Sequence, residues 1–511
     1  MAVHDDAAIS GGSKTPSESK GEIEVGMIEN TTTATGGGNS YNNGAHFDQG
    51  ATRRLIRKID WTLIPFLALL YLLSFLDRTN IGNARLAGLE KSLGMNPLGL
   101  DYNIALSVFF PWYVAAEIPS NLAMKRFRPS VWIPSIMVAW AICCTLMGLV
   151  HNYAGLLACR MALGVAEGGL FPGITYYITL WYRRHECGLR MAIFFSAATA
   201  AGAFGGLLAR GIVELDGRAN LGGWAWIFII EGIITMIVAI AAFFIMNDYP
   251  DTAKFLTATE KHEVMRRLEE DRSSLADEFH LKYFWDAMKD WKIWVHMFIT
   301  IGIYTPCQYS FSLFLPTIIS SLGFTNDKTA QLMTVPPYIA ACICCIGGGY
   351  LADRHGQRGV YMIFFNCVAI FGFILQIASS NNALKYAGTF FAAMGIYPNV
   401  PQGVAWNGNN IGGSTKRGVG IAMHVGFGNL GGVIAGFLYR AKDKPMYYPG
   451  HGTLIATETM SLVLCVFMTL YLRRENARRD REHKAPSEYT TEERLLERES
   501  GDNASYFRYT I

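Results

Sequence analysis

Apolar stretches long enough to cross a bilayer recur along this chain, and no other feature constrains its fold as strongly. They lie near 59–82, 102–124, 131–150, 153–181, 188–213, 224–246, 291–319, 329–351, 359–379, 383–405, 417–440 and 453–472. A helix rises about 1.5 Å per residue, so about 20 apolar residues match roughly 30 Å of hydrocarbon. Within that slab, backbone N–H and C=O groups can be satisfied only by helices or closed barrels. Runs of this length predict an all-α membrane protein with twelve transmembrane helices. The longest polar interruption, 247–290, contains EKHEVMRRLEEDR and reads as an amphipathic, solvated helix that divides the spans six and six. The expected organisation is a disordered cytoplasmic N-tail over 1–54, a six-helix bundle over 55–247, a cytoplasmic linker over 248–290, a second six-helix bundle over 291–472 and a cytoplasmic C-tail over 473–511.

Composition narrows the function classes. Hydrophobic residues make up 51% and charged residues 17% of the chain, where a soluble chain carries about a quarter charged. Residues 1–50 are rich in Gly, Ser, Thr and Asn and contain no apolar h-region, so neither a signal peptide nor a packed core is expected there. From Arg473 onward the sequence is densely charged and reads as a second tail. A net charge of +3 is too small to imply nucleic acid as a partner. The ten cysteines fall mostly inside apolar runs and read as free, small hydrophobes; CICC at 342–345 lacks the His or second Cys pair of a metal site. No metal or cofactor is expected. No HExxH, hydrolase triad or phosphate-binding Gly loop is found, so neither an enzyme nor an ATP-driven pump is expected.

Orientation follows from Lys and Arg in the short loops. With the N-terminus inside, the inner loops hold nine (Lys125, Arg126, Arg128, Arg183, Arg184, Arg354, Arg358, Lys416 and Arg417) and the outer loops seven. The linker, the RRLIRK segment before the first span and the Arg-rich C-tail add to the inner side, so both termini are expected in the cytoplasm.

Ionisable residues at membrane depth are costly unless they are paired or face a wet cavity, so each is a functional candidate. Here they are Asp77, Arg78, Glu117, Arg160, Glu167, Arg210 and Glu231. Only 16 residues separate Asp60 from Asp77, about 24 Å of helix. The first helix must therefore continue through DRTNIGNA, with Asp77 and Arg78 inside the membrane; the alternative is that they mark its interfacial end. Arg160 and Glu167 are seven residues apart and share one helix face, at about 10.5 Å along the axis. That is too far for them to pair with each other. The expected pairs are Arg160 with Asp77 and Arg78 with Glu167, serving transport or forming a purely structural network. Gly164 and Gly168 form a GxxxG that admits a close helix neighbour. Weaker lining candidates are Tyr304, Gln308, Tyr309 and Ser312 in YTPCQYSFS, and Asn399, Gln402, Trp406 and Asn407 in YPNVPQGVAWNGNN. Each could equally serve packing or interhelical hydrogen bonding. Glu117, next to PSN, reads as structural.

Twelve spans in a six-plus-six arrangement suggest a transporter of two packed bundles. The loops after the second span of each half agree: LAMKRFRPS (122–130) and LADRHGQRG (351–359) are both short and basic. The second, read from Gly349 to Arg358, resembles the loop signature G-x-L-A-D-R-x-G-x-R of the major facilitator superfamily, whose fold is two six-helix bundles. The resemblance implies that Asp353 meets a neighbouring helix end and that Arg354 and Arg358 latch the inner face in one state. The first-half copy departs from it, with Met124 where the acid should stand.

LDRTNIGNARLAGL, RMALGVAEGGLFPGITYYITLWY, WIFIIEG and GFGNLGG further resemble the anion:cation symporter family. Within it they are similar to the fungal allantoate permease branch, which includes nicotinate, pantothenate, biotin and allantoate uptake proteins. The resemblance covers roughly 55–475 and implies that Arg78 holds a substrate carboxylate, that Arg160 accompanies it, that Asp77 and Glu167 carry protons, and that Asn429 lines the site. Two departures stand out: Trp224-Ala225-Trp226, where relatives usually carry Trp-Arg-Trp, and Arg210 in LLARGI. Arg210 is therefore expected to supply the cation that pairs with Glu231. The implied activity is proton-coupled uptake of a small organic anion, a carboxylate such as nicotinate, allantoate or pantothenate, by alternating access in the plasma membrane. The partners would be that anion, protons and the bilayer, and the protein would be a monomer. Proton-driven efflux of a secondary metabolite and nutrient sensing through the tails are the alternatives.

Overall fold

The computed structural model describes residues 48–511 except 97–98, 184–185, 273–280, 323–331, 380, 444–445, 483–489, 491–496 and 498–499. The expected N-tail lies almost wholly outside the described residues. The described residues are helical and contain no strand.

The first helix, α1 (Gln49–Leu86), runs well past Asp77 and buries Asp77 and Arg78 at 1% and 3% exposure. The short α2 (Asp101–Ser107) leads through Val108 into α3 (Phe109–Arg126), and α4 spans Pro129–Met147. The fourth expected span is two segments, α5 (Tyr153–Glu167) and α6 (Leu170–Trp181), joined at Gly168 and Gly169. Next come α7 (Cys187–Val213), α8 (Gly223–Ile245) and the linker helix α9 (Ala258–Arg272). In the second half, α10 (Trp291–Tyr304) passes through a π-helical stretch, Thr305–Phe311, into α11 (Ser312–Ser321). Pro306 falls in that stretch, where its missing N–H leaves a gap in the α ladder. Then follow α12 (Val335–His355), α13 (Gly359–Ala378), α14 (Asn382–Asn409), α15 (Ser414–Asn429), α16 (Gly431–Gly436) and α17 (Tyr448–Glu482).

Among the described residues, nine helices are long and apolar enough to cross a membrane. The other three expected spans fall on α2 with α3, on α10 with its π-helical continuation, and on α14. Large apolar side chains such as Phe204, Ile237, Phe244, Ile343, Phe364 and Val463 stand exposed on the outside. A water-facing monomer would not carry so many; a bilayer-facing one must.

First-half helices pack mainly on one another (α1 on α7, α3 on α5, α4 on α8), as do second-half helices (α12 and α13 on α14, α10 on α15, α13 on α17). The halves meet where α7 lies along α12 and where α15 crosses α3. Glycine makes the closest approaches possible. A side chain at Gly164 or Gly168 would strike the α3 carbonyls of Phe109 or Tyr113.

Contacts join the halves at both ends of the molecule. At one end, the Asn103 side-chain amide donates to the Gly436 carbonyl, and Gly432 lies against Phe110. At the opposite end, the Leu189 N–H donates to Asp353 at 2.6 Å and Gly349 lies against Ala192.

Two segments expected to be solvated are tied to the helices at part of their surface. Helix α9 is clamped to the first half by Arg267–Glu186 (2.5 Å), Arg183–Glu270 (2.5 Å) and Lys58–Glu260 (2.7 Å). Its alternating charges find complementary partners, so Glu263 and Arg267 are buried. The densely charged C-terminal stretch begins as a continuation of α17, and its final residues return to the helix ends.

Candidate functional site

The site begins with one residue step on α1. Consecutive helical side chains point about 100° apart, so Asp77 and Arg78 face different neighbours. Arg78 turns to α5, where its Nη2 and Nε donate to Glu167 Oε1 at 2.6 and 3.2 Å. Ser74, one turn earlier on α1, donates to the same oxygen. Arg78 Nη1 donates to the Tyr309 hydroxyl at 3.3 Å, and its guanidinium lies 4.9 Å from the ring centre of Tyr113. Tyr309 in turn donates to Asn429 Oδ1 on α15. A buried polar chain thus runs from Glu167 through Arg78 and Tyr309 to Asn429, crossing from the first half to the second.

Asp77 belongs elsewhere. Its carboxylate accepts from Trp140 Nε1 at 3.1 Å, Thr235 Oγ1 at 2.9 Å and Cys144 Sγ at 3.6 Å, all on α4 and α8. The expected Arg160–Asp77 pair is therefore absent. Arg160 points toward α2 and α3 instead; its Nε donates to the Ala105 carbonyl at 3.3 Å, and Nη1 has no partner among the described residues. Arg160 and Arg78 flank the Phe109 ring, each 5.3 Å from its centre. Arg160 is 1% exposed and has no carboxylate partner among the described residues.

Several other buried polar atoms have no hydrogen-bond partner among the described residues: Glu167 Oε2, Asn429 Nδ2, the Tyr304 hydroxyl, and both amide atoms of Asn80 and Asn399. Buried polar atoms are ordinarily satisfied, by protein or by ordered water. The Gln308 side chain lies outside the described residues.

The Glu231–Arg210 pair is also absent. Glu231 is buried with both oxygens unpartnered among the described residues, while Arg210 is exposed near the end of α7. A long cationic side chain close to a helix end reaches outward to the interface rather than remaining at depth. Glu231 instead lines an apolar cavity of about 420 Å³ with Leu76, Leu208 and Phe204.

In the loop between α12 and α13, Arg358 donates to both Asp353 and Gln402, the latter at 3.0 Å. Arg354 is exposed, and α12 ends at Gly356 with φ +63°, a left-handed cap that suits glycine. In the first-half loop Met124 is buried and packs on Gly173, an apolar contact in place of the acid's polar one.

Residues 67–436 match the Major Facilitator Superfamily model. The chain belongs to that superfamily. It is a multi-pass membrane transporter and not an enzyme. An uncharacterized transporter of Schizosaccharomyces pombe is 34% identical, over 91% of this chain and 92% of its own length. The MFS-type transporter cnsO of Penicillium expansum is 34% identical over 98% of both chains. The chain is also similar in fold to a bacterial homolog of the human lysosomal transporter Spinster, solved inward-facing and occupied. That likeness has a TM-score of 0.55 at 16% identity and covers 80% of this chain and 96% of the other.

For a major facilitator transporter, the central residues that sequence reasoning underrated are Ser74, Tyr309 and Glu117. Ser74 precedes Arg78 by four residues, a same-face spacing legible in the sequence. Glu117, read as structural, is 1% exposed and faces Gly426 across the halves, and neither carboxylate oxygen has a hydrogen-bond partner among the described residues. No sequence spacing announces that contact, because α3 and α15 meet only in the folded bundle.

Proposed function

We propose that this transporter carries a small organic anion together with protons, by alternating access of two six-helix bundles with both termini in the cytoplasm. The observation that carries the reading is Arg160, a buried guanidinium without a carboxylate partner among the described residues, one aromatic ring away from Arg78. An unpaired buried cation is strongly disfavoured, and a substrate carboxylate supplies the missing charge. Guanidinium forks fit carboxylates through two parallel hydrogen bonds.

Arg78 supplies the coupling. Its guanidinium is committed to Glu167 and also touches Tyr309. When a substrate carboxylate takes Arg78, Glu167 loses its counter-charge in a buried setting and binds a proton. Anion and proton then favour each other's binding, and the effect is reciprocal. Asp77 is a second proton carrier, held by its own donors from α4 and α8. Asn429, Tyr304 and Asn399 complete the lining from the second half, where the Tyr309–Asn429 bond reports the state of Arg78 across the interface. Asp353, Arg354 and Arg358 form the cytoplasmic latch. The resemblance to the allantoate permease branch supports a compact carboxylate, with nicotinate the first to try, and uptake across the plasma membrane by a monomer.

The test is uptake of labelled carboxylates into cells expressing the chain, with and without a protonophore. Accumulation that collapses with the proton gradient is expected. Accumulation that survives it would rule out symport.

A further inference from the structure

The last residues of the chain, GDNASYFRYTI (501–511), differ from the charged stretch before them. They carry three aromatic side chains and few charges, and they do not behave as a solvated end. Asp502, Ala504, Phe507 and Tyr509 are buried. Termini are poorly ordered unless something ties them down, and here the ties are specific.

Asp502 lies between Lys292 at 2.5 Å and Lys416 at 2.6 Å, the first residues of α10 and α15 to offer a cation. Arg479 of α17 donates from Nη1 to the carbonyls of Asp502, Ala504 and Phe507 at 2.9, 3.1 and 2.9 Å. The Thr510 carbonyl accepts from Trp406 Nε1 at 2.9 Å and from Asn410 Nδ2 at 3.0 Å. The Ile511 carbonyl oxygen accepts from the Arg358 N–H at 2.5 Å. Gly412 leaves the room, since any side chain there would strike the backbone of Gly501 and Asp502. The segment therefore gathers the ends of α10, α14, α15 and α17 and finishes on the loop that holds the latch.

We infer that residues 500–511 are a tethered peptide ligand for a site on the second half, and that docking favours the state closed at the Asp353 end. From Ile511 the path to the first half is short. Arg358 carries the strap on its backbone N–H and Asp353 on its side chain, and Asp353 accepts from Leu189 of α7 at 2.6 Å. Opening this end separates α12 from α7 and breaks the Asp353–Leu189 bond. The strap's hydrogen bond from the Arg358 N–H fixes the loop whose side chain holds Asp353 toward Leu189, so docking opposes that separation. A segment that binds one state better than the other shifts the equilibrium by the difference in its affinities. The strap thus acts as a brake whose release, by a partner or a modification of the tail, would raise access from this end. The inference rests on alternating access but not on the identity of the substrate.

Cys345 provides a native reporter. It is fully buried between α12 and α7, with Sγ 3.6 Å from the Ala192 carbonyl, and glutathione added to the same reaction serves as the reference thiol. The full chain, a chain ending at residue 499 and D502N are reconstituted without substrate, and alkylation of Cys345 by a maleimide is followed by peptide mass spectrometry. A several-fold faster alkylation is expected in the truncated chain and in D502N. A synthetic peptide of residues 500–511 should return the truncated chain toward the full-length rate. Unchanged or slower alkylation in a folded variant overturns the proposal; if truncation prevents folding, D502N alone decides. Failure of every carboxylate in the uptake panel, with the Cys345 response intact, would count against the anion reading and not against the strap.

Discussion

Asp77 and Arg78 are adjacent on α1 yet belong to separate networks: Asp77 is held by Trp140 and Thr235, and Arg78 by Glu167 and Tyr309. One helical step turns the side chain by about 100°. In a bundle packed on all sides, that is enough to change partners. The two residues should therefore fail in different ways when altered.

Arg78→Lys keeps the charge and loses the fork. Uptake efficiency should fall by about 10–100-fold, because a point cation cannot hold Glu167 and a substrate carboxylate with paired, directed bonds. Glu167→Gln should abolish accumulation driven by a proton gradient while leaving substrate exchange between preloaded vesicles measurable. A Glu167→Gln variant that still concentrates substrate against a gradient would remove Glu167 from the coupling scheme.

Thr235→Val removes one donor from Asp77 without altering shape. A loss of about 1–2 kcal/mol is expected, read as a lower melting temperature in detergent. Exchanging charges in Asp77→Arg/Arg160→Asp should rescue nothing, because the two side chains point to different helices.

Gly168→Ala tests the α3–α5 contact. The added methyl meets the Tyr113 carbonyl, and overpacking of this kind costs about 1–3 kcal/mol. Because Tyr113 lies beneath Arg78, uptake should fall along with thermal stability.

Arg210→Ala should be close to silent. An exposed side chain with no role in holding Glu231 changes stability by no more than about 0.5 kcal/mol, and uptake should stay within error of the parent. A large loss of uptake would show that Arg210 acts at a distance.

The strap should be indifferent to pH across the cytoplasmic range. Burial pushes the Asp502 carboxyl upward, but Lys292 and Lys416 outweigh it and hold the carboxyl below its ordinary value. A depressed carboxyl contributes its stability above the unfolded value, near 3.9, and loses it only as pH falls through the lower, folded value. Cys345 alkylation in the full chain should therefore stay flat from about pH 8 to about pH 5 once corrected for thiol ionisation with the glutathione reference. A rise in that window would show that another group sets the dock.

Much of the site was legible because membranes make a charge conspicuous. The short distance from Asp60 to Asp77 required α1 to carry Asp77 and Arg78 inward, and the seven-residue spacing of Arg160 and Glu167 required partners on another helix. One of those partners, Arg78 for Glu167, is present. The Arg160–Asp77 and Arg210–Glu231 pairs are not. Opposite signs at similar depth state that two groups could pair, but rotation about each helix axis decides whether they face each other. Glu117 shows the converse: its neighbour PSN suggested a structural role, and only the crossing of α3 and α15 brings it beside Asn429.

By itself, the sequence determined that this is a helical membrane protein, because apolar runs of span length can satisfy their backbone in oil only as helices. It also determined which few residues bear charge at depth. Tertiary structure alone decided how those charges are shared. It joined Arg78 to Glu167 and Tyr309, left Arg160 beside an aromatic ring with no counter-ion among the described residues, and folded the last residues of the chain back onto Lys292, Lys416 and Arg358. Helix rotation, crossing geometry and the docking of a distant segment depend on packing between elements far apart in sequence, and no local pattern encodes them.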